Sequence, residues 1–143
     1  METVKKILIP VDGSDRSKKA LKKGISLARL VSAEVTVMYV SENPLISPLS
    51  VISLPAEKLR GLLNESVNNL LIHAKKECNN HDVSYSELIV EGQPSQRIID
   101  ASNDYDMIVI SPLGHSMVAD LLMGSVAERV IGHAPCAVLV TPA

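Results

Sequence analysis

Two short segments near the C-terminal end have residue types that could bind an anion. Residues 111–114 (SPLG) are followed by nine residues and then by 124–128 (GSVAE). Ser125 and Glu128 have the spacing of a capping box, in which the serine accepts a backbone N–H and the glutamate reaches back. Gly124 would let a ligand approach the backbone closely. The free N–H groups and the positive helix end then suit a phosphate. The same pattern, taken alone, also describes a helix that is simply well capped.

A carboxylate at the other end of the chain is the second candidate group. Asp12 follows the continuous apolar run 7–11 (ILIPV), which predicts a buried strand, and Ser14 is predicted to cap the helix that comes next. Ligands of parallel α/β sheets lie at the carboxyl ends of strands, where the strand order reverses. Asp12 is therefore predicted to bind a ligand. The alternative is a turn residue that supports Ser14.

Other chemistry-bearing patterns are absent from the sequence. It contains no Gly-x-x-x-x-Gly-Lys-Ser/Thr phosphate loop, no Gly-x-Gly-x-x-Gly fingerprint and no Gly-x-Ser-x-Gly elbow. The four histidines have no metal-ligand spacing, and Cys78 and Cys136 have no paired spacing. We predict no catalytic residue, no metal site within the protein and no disulfide framework.

The elements that must position these residues alternate along the chain. Strands are predicted at residues 7–11, 35–40, 87–90, 107–110 and 136–140, and helices from Ser14 to residue 31 and at 56–79, 94–103 and 125–132. Pro94 is predicted as the first residue of its helix. Strands separated by helices form parallel sheets through right-handed crossovers. The fold class is therefore α/β, a single-domain (1–143), doubly wound, five-stranded parallel sheet with helices on both faces, which is Rossmann-like.

Composition agrees with this fold and excludes several classes of function. Apolar residues make up 46% of the chain and the only aromatics are three tyrosines. The core must therefore be aliphatic, which is typical of parallel sheets.

The net charge of −2 gives no electrostatic reason to bind nucleic acid or an anionic membrane. Four lysines at 18, 19, 22 and 23 are predicted to form a solvated helix face rather than a phosphate patch. With neither a signal-peptide layout nor a membrane-length apolar run, we expect a cytoplasmic protein.

Several segments together resemble the universal stress protein family. That family's nucleotide motif is Gly-x-x-Gly, nine residues, Gly-Ser/Thr; Gly114 matches the second glycine and Gly124-Ser125 the end. The sequences GSVAERV and HAPCAVLV resemble the C-terminal signature, ILIPVDGS the opening, and EGQP the exit of the third strand. The similarity covers nearly the whole chain, with residues 41–55 as the divergent part.

The resemblance implies an adenine nucleotide alpha hydrolase-like fold and an ATP-binding regulatory protein of the stress response. Residues near the start of the chain would surround adenine and ribose, with the backbone of Val40 reading the adenine edge, and residues from Gly114 onward would contact phosphates and ribose. The implied binding residues are Pro10, Val11, Asp12, Val40, Ser111, Gly114, His115, Gly124, Ser125 and Val126. Mg²⁺ would be held mainly through the phosphates, and the most activity we expect is slow ATP hydrolysis.

The motif departs from the family pattern at its start. Ser111 stands where the first glycine belongs, and Pro112 removes one N–H donor and fixes φ. The loop also lacks the basic residue often found there, for which His115 is the nearest substitute. Family members without the motif do not bind ATP. We therefore expect ATP to bind more weakly than the motif alone implies, and the alternative function is a dimeric scaffold or interaction module that binds no nucleotide.

Two further expectations concern partners. The apolar strand 136–140 is terminal and is expected at a sheet edge, and the resemblance implies that it pairs across a two-fold axis in a homodimer. Residues 41–55 are predicted to form a long apolar loop on the nucleotide side. The loop is either a mobile lid or protein-partner surface, or it packs on its own domain.

A response-regulator receiver has the same element order. The receiver fold is excluded because it needs an acceptor aspartate after the third strand, where this chain has Glu91-Gly92. It also needs a lysine after the fifth strand, and none follows here.

Overall fold

The computed structural model describes residues 3–42, 61, 63–112 and 123–142. Strands and helices alternate through these ranges as the sequence predicts. They are β1 (Lys6–Val11), α1 (Asp15–Val31), β2 (Glu34–Ser41), α2 (Glu65–Asn80), β3 (Tyr85–Glu91), α3 (Pro94–Ala101), β4 (Met107–Ile110), α4 (Ser125–His133) and β5 (Ala137–Val140). A 3₁₀ turn, Ser102–Asp104, extends α3.

The five strands form one parallel sheet in the order β3-β2-β1-β4-β5. The chain builds outward from β1 through β2 to β3, and then returns to the other side of β1 for β4 and β5. Ile7 lies between Val35 of β2 and Met107 of β4 in the register. The strand order therefore reverses between β1 and β4, and the crevice at their carboxyl ends is where ligands of such sheets bind. The predicted doubly wound fold is confirmed.

Helices cover both faces of the sheet, and each face has its own aliphatic core. Leu21 and Ile25 of α1 and Leu70 and Leu71 of α2 pack on one face. On the other face, side chains of α3 and α4 pack against alternate residues of the strands; this second core contains Leu8, Met38, Ile98, Ile108, Ile110 and Val130. Successive side chains of a strand point to opposite faces of the sheet. Because both faces are buried here, each strand is a continuous apolar run in the sequence.

The helix starts explain where the boundaries fall. Ser14, Asn64 and Gln93 each accept, through a side-chain oxygen, the N–H three residues on, at 3.2, 2.9 and 2.9 Å. The predicted cap at Ser14 and the first-turn position of Pro94 are confirmed. The predicted start of the second helix at residue 56 lies outside the described residues. Residues 61, 63 and 64, which the prediction included, are not helical, and the described helix begins at Glu65, after the cap. Leu63 precedes the helix but is buried, so the apolar pattern of the helix extends beyond its N-terminal end.

The C-terminal strand lies at the edge of the sheet, as expected. Among the described residues, β5 pairs only with β4, and its side chains alternate between partly buried and exposed. Val138 and Val140 contact the second core, whereas Leu139 is 41% exposed. Within the described ranges, none of the helices combines the length and the apolar character needed to cross a bilayer.

Candidate functional site

A cleft of about 430 Å³ opens at the carboxyl ends of β1, β2 and β4. The starts of α2, α3 and α4 form its other walls. It lies over the point where the strand order reverses, as the α/β topology predicts. Eight of the ten residues proposed from the sequence line it: Pro10, Val11, Asp12, Val40, Ser111, Gly124, Ser125 and Val126. The other two, Gly114 and His115, lie outside the described residues.

The start of α4 is the anion-binding candidate, and its capping differs from the expectation. Gly124 is the N-cap residue and Ser125 the first residue of the helix, so no side chain caps this end. The predicted capping box of Ser125 and Glu128 is wrong. A box needs serine at the cap and glutamate three residues on, and here both lie one position too far into the helix.

The absence of a cap side chain leaves backbone donors facing the cleft. The first four N–H groups of a helix have no intrahelical partner. The Gly124 N–H donates to the carbonyl oxygen of Pro112 at 2.6 Å, and the first intrahelical bond runs from the Glu128 N–H to the Gly124 carbonyl at 3.0 Å. The N–H groups of Ser125, Val126 and Ala127 have no hydrogen-bond partner among the described residues, and all three residues line the cleft. Three adjacent N–H groups at the positive end of a helix suit a phosphate.

The exit of β4 has a role that the sequence did not reveal. Ser111 is only 8% exposed and lines the cleft beside Pro112. Proline cannot donate a hydrogen bond, but the Pro112 carbonyl fixes the cap residue of α4. The backbone carbonyl of residue 112 therefore joins the strand end to the helix start.

The turn after β1 holds Asp12 through one of its two carboxylate oxygens. Oδ1 accepts the backbone N–H of Ser14 at 2.9 Å and its Oγ–H at 2.5 Å. Gly13 between them has φ of +85°, which a residue with a side chain rarely adopts. Asp12 thus supports Ser14, as the alternative interpretation held. Within the part of the chain that the structure describes, Oδ2 has no hydrogen-bond partner.

The inner part of the cleft is apolar. Pro10, Val40 and Ile110 line it together with Met38 of β2 and Ile98 of α3, which are buried. Sequence reasoning missed Met38 and Ile98 because both read as ordinary core residues. Alternation along β2 would have found Met38, which lies two residues before Val40 and so on the same face. The result is a slot with aliphatic walls beside a polar helix start.

Polar side chains at the start of α2 form another wall that was missed. Asn64 and Ser66 line the cleft, close to the turn after β1. A Cβ placed on Gly13 would lie 3.0 Å from Ser66 Oγ, so glycine permits this close approach. This wall has no local sequence signal, because the apolar pattern predicts a helix that starts well before residue 64.

Titratable groups give no sign of a nucleophile or a metal cage in the described ranges. Burial raises the pKa of Cys78 to about 11, and burial also raises the pKa of Cys136, so both thiols are protonated at neutral pH. Among the described residues, no three His, Cys, Asp or Glu side chains are grouped to hold a metal ion. Asp12 and Glu42 are the carboxylates that line the cleft.

Comparison with known proteins agrees with the fold. The profile of the Universal stress protein family matches residues 3–142. Universal stress protein MJ0531 of Methanocaldococcus jannaschii is 38% identical over 142 residues, which cover 95% of this chain and 81% of that protein. The solved structure of MJ0577, a universal stress protein of the same organism, superposes with a TM-score of 0.76 at 29% identity, covering 98% of this chain and 96% of MJ0577.

Solved structures with bound nucleotides share the fold. The universal stress protein from Archaeoglobus fulgidus in complex with dAMP has a TM-score of 0.65 at 21% identity, and the match covers 98% of both chains. Two further universal stress proteins of this fold, in complex with cAMP and with AMP, are 19% and 17% identical to this chain.

Proposed function

This chain belongs to the universal stress protein family, and from that premise we propose that it is a homodimeric, cytoplasmic regulatory protein of the stress response whose cleft binds ATP. The observation that carries the proposal is the start of α4, where a helix without a cap side chain opens onto an apolar slot in the same cleft. One half of the cleft suits a base and the other half suits phosphate.

The apolar half fits a planar base. Pro10, Val11 and Val40 would contact adenine, with Met38 and Ile98 beneath it. Ligand pockets of this kind are mostly aliphatic, with a few polar groups that set orientation. The backbone of Val40 at the end of β2 would supply the orienting contacts to the adenine edge. Asp12 at the end of β1 would contact the nucleoside.

The polar half fits the phosphates. N–H groups of Ser125, Val126 and Ala127 would donate to phosphate oxygens, and Gly124 leaves room for them. Mg²⁺ fits this arrangement through the phosphates, because it keeps most of its waters and needs few protein ligands. Such an ion would offset phosphate charge, and Glu42 and Asp12 are carboxylates that line the described part of the same cleft.

The nucleotides bound by solved universal stress proteins support the adenine part of the proposal. These proteins hold dAMP, cAMP and AMP, which share adenine and one phosphate. A ligand with those two parts needs a base slot and a helix start, which this cleft combines. We expect any ATP hydrolysis in this cleft to be slow.

The homodimer is proposed through β5. Its Leu139 is 41% exposed, and Ile131 on the adjacent α4 is 46% exposed. An unpaired apolar edge strand is usually covered or paired, and a second copy would supply the pairing strand across a two-fold axis. The second candidate function, a dimeric scaffold without nucleotide, rests on this same edge and on Ser111 and Pro112 in the motif.

The test is to identify what the purified protein carries. Wild type and Gly124→Val are purified in parallel and heat-denatured, and the supernatants are analysed by ultraviolet absorbance and mass spectrometry. We expect an adenine nucleotide from wild type and none from Gly124→Val, whose side chain would fill the phosphate space. An equal yield from both proteins, or a wild type that releases none and takes up none from added ATP, would favour the scaffold.

A further inference from the structure

We propose that Ser14 is a positioning residue for Asp12: by holding Oδ1, it leaves Oδ2 as the single carboxylate oxygen that a hydrogen-bond donor of the bound nucleoside can use. This inference rests on the proposed function of the cleft. Ser14 itself does not line the cleft, whereas Asp12 does. Any effect of Ser14 on binding must therefore act through its neighbours.

The hydroxyl of Ser14 has both of its hydrogen-bonding roles assigned. Its oxygen accepts the backbone N–H of Ser17 at 3.2 Å, which is the cap of α1. Its proton is donated to Asp12 Oδ1 at 2.5 Å. The N–H of Ser17 fixes the position of the Ser14 Oγ. The hydroxyl proton then has the Asp12 carboxylate as its acceptor. The helix cap and the carboxylate contact are thus one arrangement.

Ser17 completes the hydrogen-bond network of Asp12 and Ser14. It is buried, its Oγ donates to the Ser14 carbonyl at 2.9 Å, and the Asp12 N–H approaches the same Oγ at 3.4 Å. The backbone on both sides of Gly13 is therefore held by side chains of the first helical turn. Asp12 has no freedom to turn without breaking a bond to Ser14.

A carboxylate held in one rotamer binds a ligand more tightly than one that samples several rotamers. Oδ1 already accepts two hydrogen bonds from Ser14, so a ligand hydroxyl or amino group meets Oδ2. An Asp side chain freed to sample three staggered χ1 wells would keep the binding rotamer about one third of the time. The apparent affinity falls by that fraction, so the expected loss is about threefold at most.

The experiment uses two substitutions that treat the cap and the hydroxyl differently. Ser14→Gly removes the hydroxyl but keeps a residue type that caps helices nearly as well as serine. Ser14→Thr keeps the hydroxyl. Binding of AMP is measured by calorimetry, and unfolding temperature by thermal melts. Residue 14 still donates its backbone N–H to Oδ1 in Ser14→Gly, so the carboxylate is freed only in part. We expect Ser14→Gly to weaken AMP binding by about twofold, and Ser14→Thr to bind as wild type does.

A double-mutant cycle separates positioning from general stability. In an Asp12→Ala background, Ser14→Gly should leave AMP affinity unchanged, because the residue through which it acts is gone. An equal loss in both backgrounds would overturn the inference, as would full affinity of Ser14→Gly. A wild type that binds no adenine nucleotide would contradict the proposed function and this inference with it, whereas a binding wild type with an additive cycle contradicts the inference alone.

Discussion

The carbonyl oxygen of Pro112 accepts the backbone N–H of Gly124 at 2.6 Å. The bond joins the end of β4 to the start of α4 and uses the N–H of the cap residue. A ligand at this helix start therefore meets the N–H groups of Ser125, Val126 and Ala127. Because Gly124 has no side chain, nothing from the helix itself competes with the ligand for them.

Gly124→Ser should raise stability and lower nucleotide affinity together. A serine at the cap accepts the N–H of Ala127, which stabilises the helix by about a few tenths of a kcal/mol relative to glycine. That N–H is then lost to phosphate, and one charge-assisted hydrogen bond is worth about 1.5–3 kcal/mol, or roughly tenfold or more in affinity. Thermal melts and ATP calorimetry measure the two effects.

Gly132→Ser is the matched control for that substitution. Gly132 lies on the same helix, and a Cβ there meets no atom within 4 Å. The same exchange should leave ATP affinity unchanged. If Gly124→Ser also binds ATP as tightly as wild type, the N–H groups of α4 do not hold the phosphates.

Asp12→Asn should preserve the turn after β1 and weaken binding of the nucleoside. Asparagine keeps an oxygen that can accept from Ser14, so the unfolding temperature should stay close to wild type. An NH₂ group replaces Oδ2 and cannot accept a hydrogen bond. Calorimetry should show adenosine and ATP weakened alike, by roughly tenfold.

Two further variants serve as comparisons for Asp12→Asn: Asp12→Ala removes the whole carboxylate, and Asp15→Asn is the control for the lost charge. Asp12→Ala should weaken adenosine and ATP in the same way but also lose the bonds to Ser14. Asp15→Asn removes an equal charge from an exposed side chain outside the cleft and should bind normally. Unchanged adenosine affinity in Asp12→Asn would leave Asp12 with its turn role only.

Leu139→Lys should dissociate the proposed homodimer. The lysine would place a charge on the exposed face of the edge strand β5, which discourages edge pairing. Light scattering at micromolar concentration should give twice the 15.4 kDa chain mass for wild type and the single-chain mass for the variant. Leu30→Lys, at an 82% exposed leucine of α1, is the control and should stay dimeric. A wild type of single-chain mass would contradict the dimer.

The sheet could be predicted because each strand is a short, bounded apolar run. The predicted and observed limits of β4 coincide, and those of β1 differ by one residue. The helix starts were harder, since burial does not stop where a helix does. Leu63 is buried ahead of its helix, and its apolar character concealed the cap at Asn64.

The site could be predicted in part, because strand ends and glycine-rich segments have local signals. The structure brings Asp12, Val40 and Gly124 to one cleft, although they are far apart in sequence. The capping box failed through a shift of one residue, which local sequence spacing does not resolve. Contacts between distant segments, such as Pro112 with Gly124 or Ser66 near Gly13, depend on tertiary packing and have no local signal.

Titration of ATP into wild type, Ser111→Gly and Gly124→Val by calorimetry tests most directly whether the cleft binds ATP. We expect wild type to bind, Ser111→Gly to bind more tightly because bare backbone replaces a side chain at the cleft, and Gly124→Val not to bind while melting cooperatively. A wild type that binds no adenine nucleotide at millimolar concentration, with no binding restored by Ser111→Gly, would contradict ATP binding and leave the dimeric scaffold in its place.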